Sequence, residues 1–410
     1  MDTRPGGARR EATQGPEGDV VAAANAREQR VGNARWVDQA TRTSTHCGGF
    51  AVPADLETPA LVIDADRLDA NIAQMARRTD EAGTRLRPHA KTHKCVPIAR
   101  RQLAAGAAGL TVATLDEAEA FAAGGCADIF IAYPLWAGAA RARRLRQLHD
   151  RVRLRVGVDS VQGAAVLAAA VRGARVPLPV LVEIDCGARR TGVAPEAATE
   201  LAAECLRLGL DVAGAFTHPG HAYATPEGVA AAADDEQKAL AVAGEALASL
   251  TGRRAELSGG STPTAVAGVA DSLTEVRPGT YVFGDRQQMS LSDIDEQQIA
   301  LVVAARVVSR PRPGEVVLDA GSKALSSDRP GWLTGHGWLP AAPDATISAI
   351  SEEHAVVSGV GDGVADMAVG DLVAVVPNHV CTAVNLGREL VVVSGGAVVG
   401  VWPVVSRASG

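Results

Sequence analysis

Between about residue 56 and residue 285 the chain alternates short apolar runs with longer stretches of helical composition. Pro59–Asp64 (PALVID) reads as a first strand, and a helix follows from Arg67 to about Ala82. Later strand candidates are Arg85–Ala90, Gly109–Ala113, Asp128–Tyr133, Val152–Val158, Val180–Asp185, Val212–Thr217, Ala255–Ser258 and Thr280–Phe283. Between them lie Ala-, Leu-, Arg- and Glu-rich segments such as Leu115–Ala123 and Val229–Leu250. With Pro59–Asp64 set aside, eight strand-then-helix units in about 200 residues predict an α/β fold, a closed (β/α)8 TIM barrel rather than an open doubly wound sheet.

The texture changes near Asp285. From about Ala300 onward, Val-rich runs (LVVAARVV, EVVLDAG, DLVAVVP, ELVVVSGG, AVVGVWPVV) are separated by Gly and Pro with almost no helical period, which predicts a C-terminal all-β domain. Residues 1–52 are rich in Gly, Arg, Glu, Thr and Gln without a sustained hydrophobic period, and read as a disordered extension. The expected layout is an extension over 1–52, a barrel over 53–285 and a β domain over 286–410. The strand at 59–64, outside the barrel count, is expected to join the β domain.

Composition narrows the class. Aromatics are 3% of the chain against 47% hydrophobic residues overall, so the core must be built from Ala, Val and Leu. The net charge of −7 argues against nucleic acid or an anionic membrane as partner. No window approaches the roughly 18 unbroken apolar residues of a membrane span. The six cysteines are scattered with no C-x-x-C pair, which fits reduced thiols in the cytoplasm. Arg9-Arg10 is followed by no apolar stretch of signal-peptide length.

In a barrel, chemistry collects where strands end at the C-terminal face. The first barrel strand ends in RPHAKTHK, with His89, Lys91, His93 and Lys94 crowded together. Positive neighbours and desolvation lower a lysine pKa, as a Schiff-base lysine requires; the plain alternative is a solvated basic turn. Strand alternation puts His89 and Lys91 on one face. Ser258–Thr264 (SGGSTPT) runs into a helix with exposed backbone N–H groups and hydroxyls, either a phosphate cradle or an ordinary N-cap. Arg277–Tyr281 (RPGTY) offers a second such loop beside it, and no G-x-x-x-x-G-K-[ST] motif points to a nucleoside triphosphate. EIDCGARRTG (Glu183–Gly192) pairs acids with arginines, and His218 and His221 form a His-rich loop suited to proton transfer or metal contact. In the β domain, His379 and Cys381 stand two apart, on one side of a segment read as extended. Imidazole plus thiolate is a zinc-preferring donor pair; the alternative is a buried cysteine beside a satisfied histidine.

In this order, TPALVIDADRLDANI, RPHAKTHK, EIDCGARRTGV, THPGHAY, SGGSTPT, EVRPGTYVFGD, VVLDAGSKALSSD, ISEEH and PNHVCTAVNL resemble the metal-dependent branch of the alanine-racemase-type (fold-type III) pyridoxal phosphate enzymes. That branch contains D-serine dehydratases, D-threo-3-hydroxyaspartate dehydratases and D-threonine aldolases. The resemblance runs from about Leu56 to Val401. It implies that Lys91 carries the cofactor as a Schiff base and that Gly260, Ser261, Thr262, Gly279 and Thr280 hold its phosphate. It also places Arg190 near the cofactor ring, Tyr223 and Tyr281 along the cofactor, and a divalent metal on His379 and Cys381. Zinc is the metal that a thiolate favours, with manganese and magnesium as alternatives. A homodimer is implied as well. Arg277 occupies the position at which racemases set an arginine against the pyridine nitrogen.

Among the reactions open to such an enzyme, racemisation needs a second base, a tyrosine of the β domain in the racemases. The three tyrosines here are Tyr133, Tyr223 and Tyr281, none of them beyond 281, so racemisation would need a substitute such as His354. The expectation is a lyase acting on small D-3-hydroxy amino acids. Cys381 stands where the aldolases carry a carboxylate, which places β-elimination to a 2-oxo acid and ammonia ahead of retro-aldol cleavage to glycine and an aldehyde. A non-catalytic pyridoxal phosphate carrier is the remaining alternative, and such proteins lack both the β domain and the metal pair.

Overall fold

The computed structural model describes residues 44–406 apart from 271, 293, 360 and 361. Eighteen strands run in chain order among these residues. The first three are β1 (Ser44–Cys47), β2 (Phe50–Pro53) and β3 (Ala60–Asp64). The barrel strands are β4 (Arg85–Leu86), β5 (Leu110–Val112), β6 (Asp128–Pro134), β7 (Arg153–Val158), β8 (Pro179–Glu183), β9 (Asp211–Phe216), β10 (Glu256–Gly259) and β11 (Glu275–Val276). The rest are β12 (Leu301–Arg312), β13 (Glu315–Leu318), β14 (Thr346–Ile350), β15 (Ala355–Ser358), β16 (Leu372–Val375), β17 (Glu389–Ser394) and β18 (Ala397–Pro403).

Strands β4 to β11 form one parallel sheet, in the order β4-β11-β10-β9-β8-β7-β6-β5. Its two ends meet just beyond the short β4. His89 and Thr111 form a parallel bridge, Thr111 donates its N–H to the Pro88 carbonyl, and Ala90 donates to the Thr111 carbonyl, each at 2.8 Å. The sheet is therefore closed, as the eight-unit pattern predicts. Phe130, Leu181 and Phe216 fill its interior, and Ala- and Leu-rich helices cover the outside. At the N-terminal end the filling is charged. Arg87 Nε lies 2.6 Å from Glu275 Oε2, Arg87 also reaches Asp128 Oδ1 at 2.7 Å, and Arg155 reaches the same Glu275 oxygen at 3.3 Å.

Two strand expectations are corrected. Thr280–Phe283 is not the eighth strand; that place is taken by β11, and Thr280–Val282 is a 3-10 turn. Pro278 lacks an N–H for the ladder, so the strand ends before it. Arg85–Ala90 is a strand only over Arg85–Leu86, because Pro88 interrupts it in the same way. Lys91 consequently sits in the turn after the strand rather than on it.

β3 precedes the barrel in sequence but belongs to the other sheet, as expected. It pairs antiparallel with β12 and parallel with β17, at the centre of the order β14-β15-β13-β12-β3-β17-β18. The β1–β2 hairpin lies inside the segment expected to be disordered. Phe50 and Val52 are buried against Val302, Ala374 and Val391, so chain order begins earlier than residue 53. Their signal is short, two apolar side chains at strand spacing in a polar segment. The remainder of that extension, residues 1–43, lies outside the described residues. No helix among the described residues is long and apolar enough to cross a membrane.

Candidate active site

A cavity of about 740 Å³ opens at the C-terminal end of the barrel, where the β domain covers it. Lys91, Arg190, Tyr223, Gly260, Ser261, Thr262, Gly279, Thr280, His379 and Cys381 all line it. Segments up to 290 residues apart in sequence thus converge on one space. Tyr281 does not line it: its side chain points into the core, where its hydroxyl accepts a hydrogen bond from Gln102 Nε2 at 2.9 Å. A tyrosine next to a cradle loop is drawn into the core by its apolar ring once a buried partner satisfies the hydroxyl.

The floor is basic. Burial draws the Lys91 ammonium below its ordinary pKa, Arg190 and Arg277 add to this, and only the nearby Cys381 and Glu117 oppose it. Burial, then the Lys91 charge, hold His89 and His218 well below the usual imidazole range, so both are neutral. Arg277 is buried, donating to Ser258 Oγ at 2.6 Å and to the Thr217 carbonyl, and burial lowers its pKa to about 10.

The two cradle loops face each other on adjacent strands. Gly260 has φ +85°, and a Cβ there would lie 3.0 Å from Val276 Cβ. A Cβ at Gly279 would lie 2.6 Å from Thr92 Oγ1, so only glycine lets this loop pass under the lysine turn. Thr280 Oγ1 donates to Thr262 Oγ1 at 2.9 Å, and the Tyr281 N–H joins it at 3.2 Å, tying the loops together. Ser261 is also the N-cap of helix Thr262–Ala267, in a capping box with Thr264. The N-cap reading of this motif is therefore borne out, and the loop stands in the cavity wall.

His379 and Cys381 are not on an extended segment. His379 is the N-cap of helix Val380–Leu386, and Cys381 lies in its first turn. The pair still faces the cavity because a helix start turns both side chains outward. Burial opposes charge on both, but their mutual attraction outweighs it: the His379 imidazole is held well above its usual range and the Cys381 thiol below its own. Cys381 Sγ lies 3.2 Å from Thr92 Oγ1. Asp285 supports the histidine, with Oδ2 3.4 Å from His379 Nδ1, while also accepting the Val380 and Gln288 N–H groups. A carboxylate behind a ligating imidazole is the usual outer-shell partner of a metal histidine.

Four residues in or beside the cavity escape sequence reasoning. Asp285 and Asp328 end the motifs EVRPGTYVFGD and VVLDAGSKALSSD without a role of their own, Gln287 lies in no motif, and Asp328 accepts from Thr382 Oγ1 at 2.7 Å beside the Cys381 helix. Glu183 lies within a recognised motif and was read there as an arginine partner. It is 3% exposed, Oε1 accepts from Thr191 Oγ1 at 2.7 Å, and Oε2 has no partner. His354 is exposed in a turn and lines no part of the cavity as this one chain forms it.

These features fit the cofactor that the sequence implies: a partly buried lysine of lowered pKa, two facing loops whose glycines admit no Cβ, and an orphaned carboxylate oxygen in the wall. The thiolate–imidazole pair fits a divalent metal. Comparison with known proteins agrees. Residues 63–287 match the alanine racemase N-terminal domain, and residues 300–393 match the serine dehydratase domain. The D-threo-3-hydroxyaspartate dehydratase of Delftia sp. (strain HT23) is 37% identical over 348 residues, covering 80% of this chain and 91% of that protein.

The chain belongs to this family. Its solved Delftia relative superposes with a TM-score of 0.79 at 34% identity, over 87% of this chain and 99% of that one. The D-threonine aldolase of Arthrobacter sp. is 33% identical over 361 residues, covering 86% of this chain and 93% of that protein. Alanine racemase from Corynebacterium glutamicum shares the fold alone, with a TM-score of 0.58 at 18% identity over 83% of this chain and 100% of that one. As a member of this family the protein is an enzyme, a pyridoxal phosphate-dependent lyase.

Proposed function

We propose that the protein is a pyridoxal phosphate- and divalent-metal-dependent lyase of D-3-hydroxy amino acids that eliminates water and releases a 2-oxo acid and ammonia. One observation carries this reading: Lys91, the double cradle and the His379–Cys381 pair line a single cavity. A D-threo-3-hydroxyaspartate dehydratase has been solved as a histidine-to-alanine variant and as a cysteine-to-alanine variant in a metal-free form, which supports a metal role for such a pair.

When bound, pyridoxal phosphate supplies an electron sink at the α-carbon and a divalent metal supplies Lewis acidity toward the 3-hydroxyl. Gly260, Ser261, Thr262, Gly279 and Thr280 would hold the phosphate, and His379 and Cys381 the metal. Lys91, its pKa lowered by burial, is the base that takes the α-proton. His89 and His218 stay neutral and do not compete for that proton. Asp285 fixes the His379 ring, so the donor pair is oriented before anything binds. Arg190 brings an uncommitted positive charge to the anionic end of an amino acid, and Tyr223 walls the cavity beside His218. Zinc is the metal this donor set favours. The same reading makes the enzyme a cytoplasmic homodimer.

The second reading is aldol cleavage, favoured by the Arthrobacter aldolase and by the 3-hydroxy-D-aspartate aldolase of Paracoccus denitrificans, 31% identical over 386 residues. Mixing the protein with pyridoxal phosphate, zinc or manganese and D-threonine separates the two. 2-Oxobutanoate and ammonia are expected. Glycine and acetaldehyde would replace the dehydratase reading with the aldolase one. If neither forms, D-serine and D-3-hydroxyaspartate come next, and inactivity on all three overturns the proposal.

A further inference from the structure

Helix Val229–Thr251 carries a buried acid that the proposed reaction does not use. Glu236 is 2% exposed, and its Oε1 accepts the Gly260 N–H at 2.5 Å, from directly behind the loop assigned to the phosphate. A Cβ at Gly259 would lie 2.6 Å from that same oxygen, so a glycine is what lets the carboxyl reach the loop backbone. The Thr264 hydroxyl is its other hydrogen-bonding neighbour. The titratable groups facing it are Arg277 at the end of β11 and the Cys186 thiol beyond β8. Arg277 directs its guanidinium to Ser258 and Thr217, and no ion pair to Glu236 forms among the described residues.

A buried carboxylate with no cation against it is unstable in its charged form. Burial pushes Glu236 up to about 7, even with the Gly260 N–H and Arg277 opposing it. A phosphate dianion on the other face of the same short loop would raise it further. We infer that Glu236 works as a neutral carboxylic acid behind the phosphate loop, taking up one proton from solvent when a phosphate monoester binds. It is a positioning residue: it holds the Gly260 backbone in its left-handed conformation without setting a second negative charge against the ligand. This inference rests on the pyridoxal phosphate reading above.

Pyridoxine 5′-phosphate separates the two ideas, because it has no aldehyde and cannot condense with Lys91. With its second phosphate ionisation near about 6, it is already a dianion at pH 8. Its binding to the full-length, cofactor-free chain is followed by calorimetry between pH 7 and 9, in buffers of different ionisation enthalpy. The wild type is expected to take up close to one proton at the upper end of this range, with Kd rising up to about tenfold per pH unit above 7. Glu236→Gln, which keeps an oxygen for Gly260 but cannot ionise, is expected to take up about one proton fewer than the wild type and to show a correspondingly shallower rise in Kd, since exchange by Lys91 or the ligand ring is common to both. Uptake unchanged in E236Q, or binding by the wild type with no uptake, overturns the inference while leaving the cofactor reading standing. No binding at any pH removes the cofactor reading, and the inference falls with it. Should E236Q fail to fold, difference infrared spectroscopy of the wild type decides: a protonated-carboxyl band that grows on binding is expected, and its absence overturns the inference.

Discussion

At the N-terminal end of the barrel, Arg87 and Arg155 are buried against Glu275 and Asp128, and Ser258 Oγ donates to the remaining oxygen of Glu275 at 2.8 Å. At the C-terminal end, Lys91 Nζ and the Arg190 guanidinium have no hydrogen-bond or ion-pair partner among the described residues, and one oxygen of Glu183 is equally unmatched. Both ends are rich in charge, and one strand can serve both: β10 and β11 run from the paired cluster to the cradle loops. A pair closed within the protein holds strands together and is unavailable to a ligand. A buried group left open, as the Glu183 oxygen is, burdens the fold until something binds it, and a solvated one such as Arg190 is free to meet a ligand. The first arrangement reads as stability and the second as function.

The sharpest way to break this contrast is to substitute one group at each end. Lys91→Ala should lower turnover by roughly 10³-fold or more while leaving the unfolding midpoint nearly unchanged, as steady-state kinetics and thermal melts would show. Glu275→Gln should do the reverse. It leaves Arg87 and Arg155 buried without a full counter-charge, and a loss of about 3–5 kcal/mol is expected in denaturant titrations, with turnover per folded molecule kept. An active, fully stable Glu275 variant would erase the distinction between the two ends.

Asp285→Asn sharpens the picture at the β-domain side of the cavity. Weakening the carboxylate behind His379 should reduce metal affinity about 10–100-fold, measured by competition with a chelator, and cost about 1–3 kcal/mol of stability, because one oxygen that accepts a backbone N–H becomes a donor.

The smallest effect concerns His93, buried one turn from Lys91. Its Nδ1 accepts the Cys95 N–H and its Nε2 meets Gln102 Oε1, and burial lowers its pKa to about 4. The folded value lies below the unfolded one. The stability that His93 contributes is therefore complete above about pH 6.5 and lost as pH falls toward 4. His93→Asn should flatten stability against pH in that window, as urea titrations at stepped pH would reveal.

The barrel was legible because its strands repeat: apolar runs such as Val152–Val158 and Val212–Thr217 fall within a residue of β7 and β9. β11 was missed because two residues give no period, and its place was assigned to the apolar Thr280–Phe283 beyond the proline. The cradle loops and Lys91 were legible because glycines and clustered base pairs of residues announce special backbone and special charge. The roles of Asp285 and Asp328, at the ends of two quoted motifs, and of Glu236, in none, were not, since an acid in a helix or loop looks like any solvated one until the fold places it. The His379–Cys381 pair was found with the wrong backbone beneath it, because one turn of helix is too short to leave a pattern.

The position of β3 has a consequence for synthesis. Leu61 and Val62 emerge from the ribosome early, but their partners on β12 and β17 lie some 240 to 330 residues later. At about 5–20 residues per second, the nascent chain holds this apolar strand unpaired for roughly ten seconds to a minute. The barrel can close in that interval, but the central seam of the second sheet cannot. Ribosome-bound chains halted before Leu301 should therefore be chaperone clients, and those released after Ser394 should not.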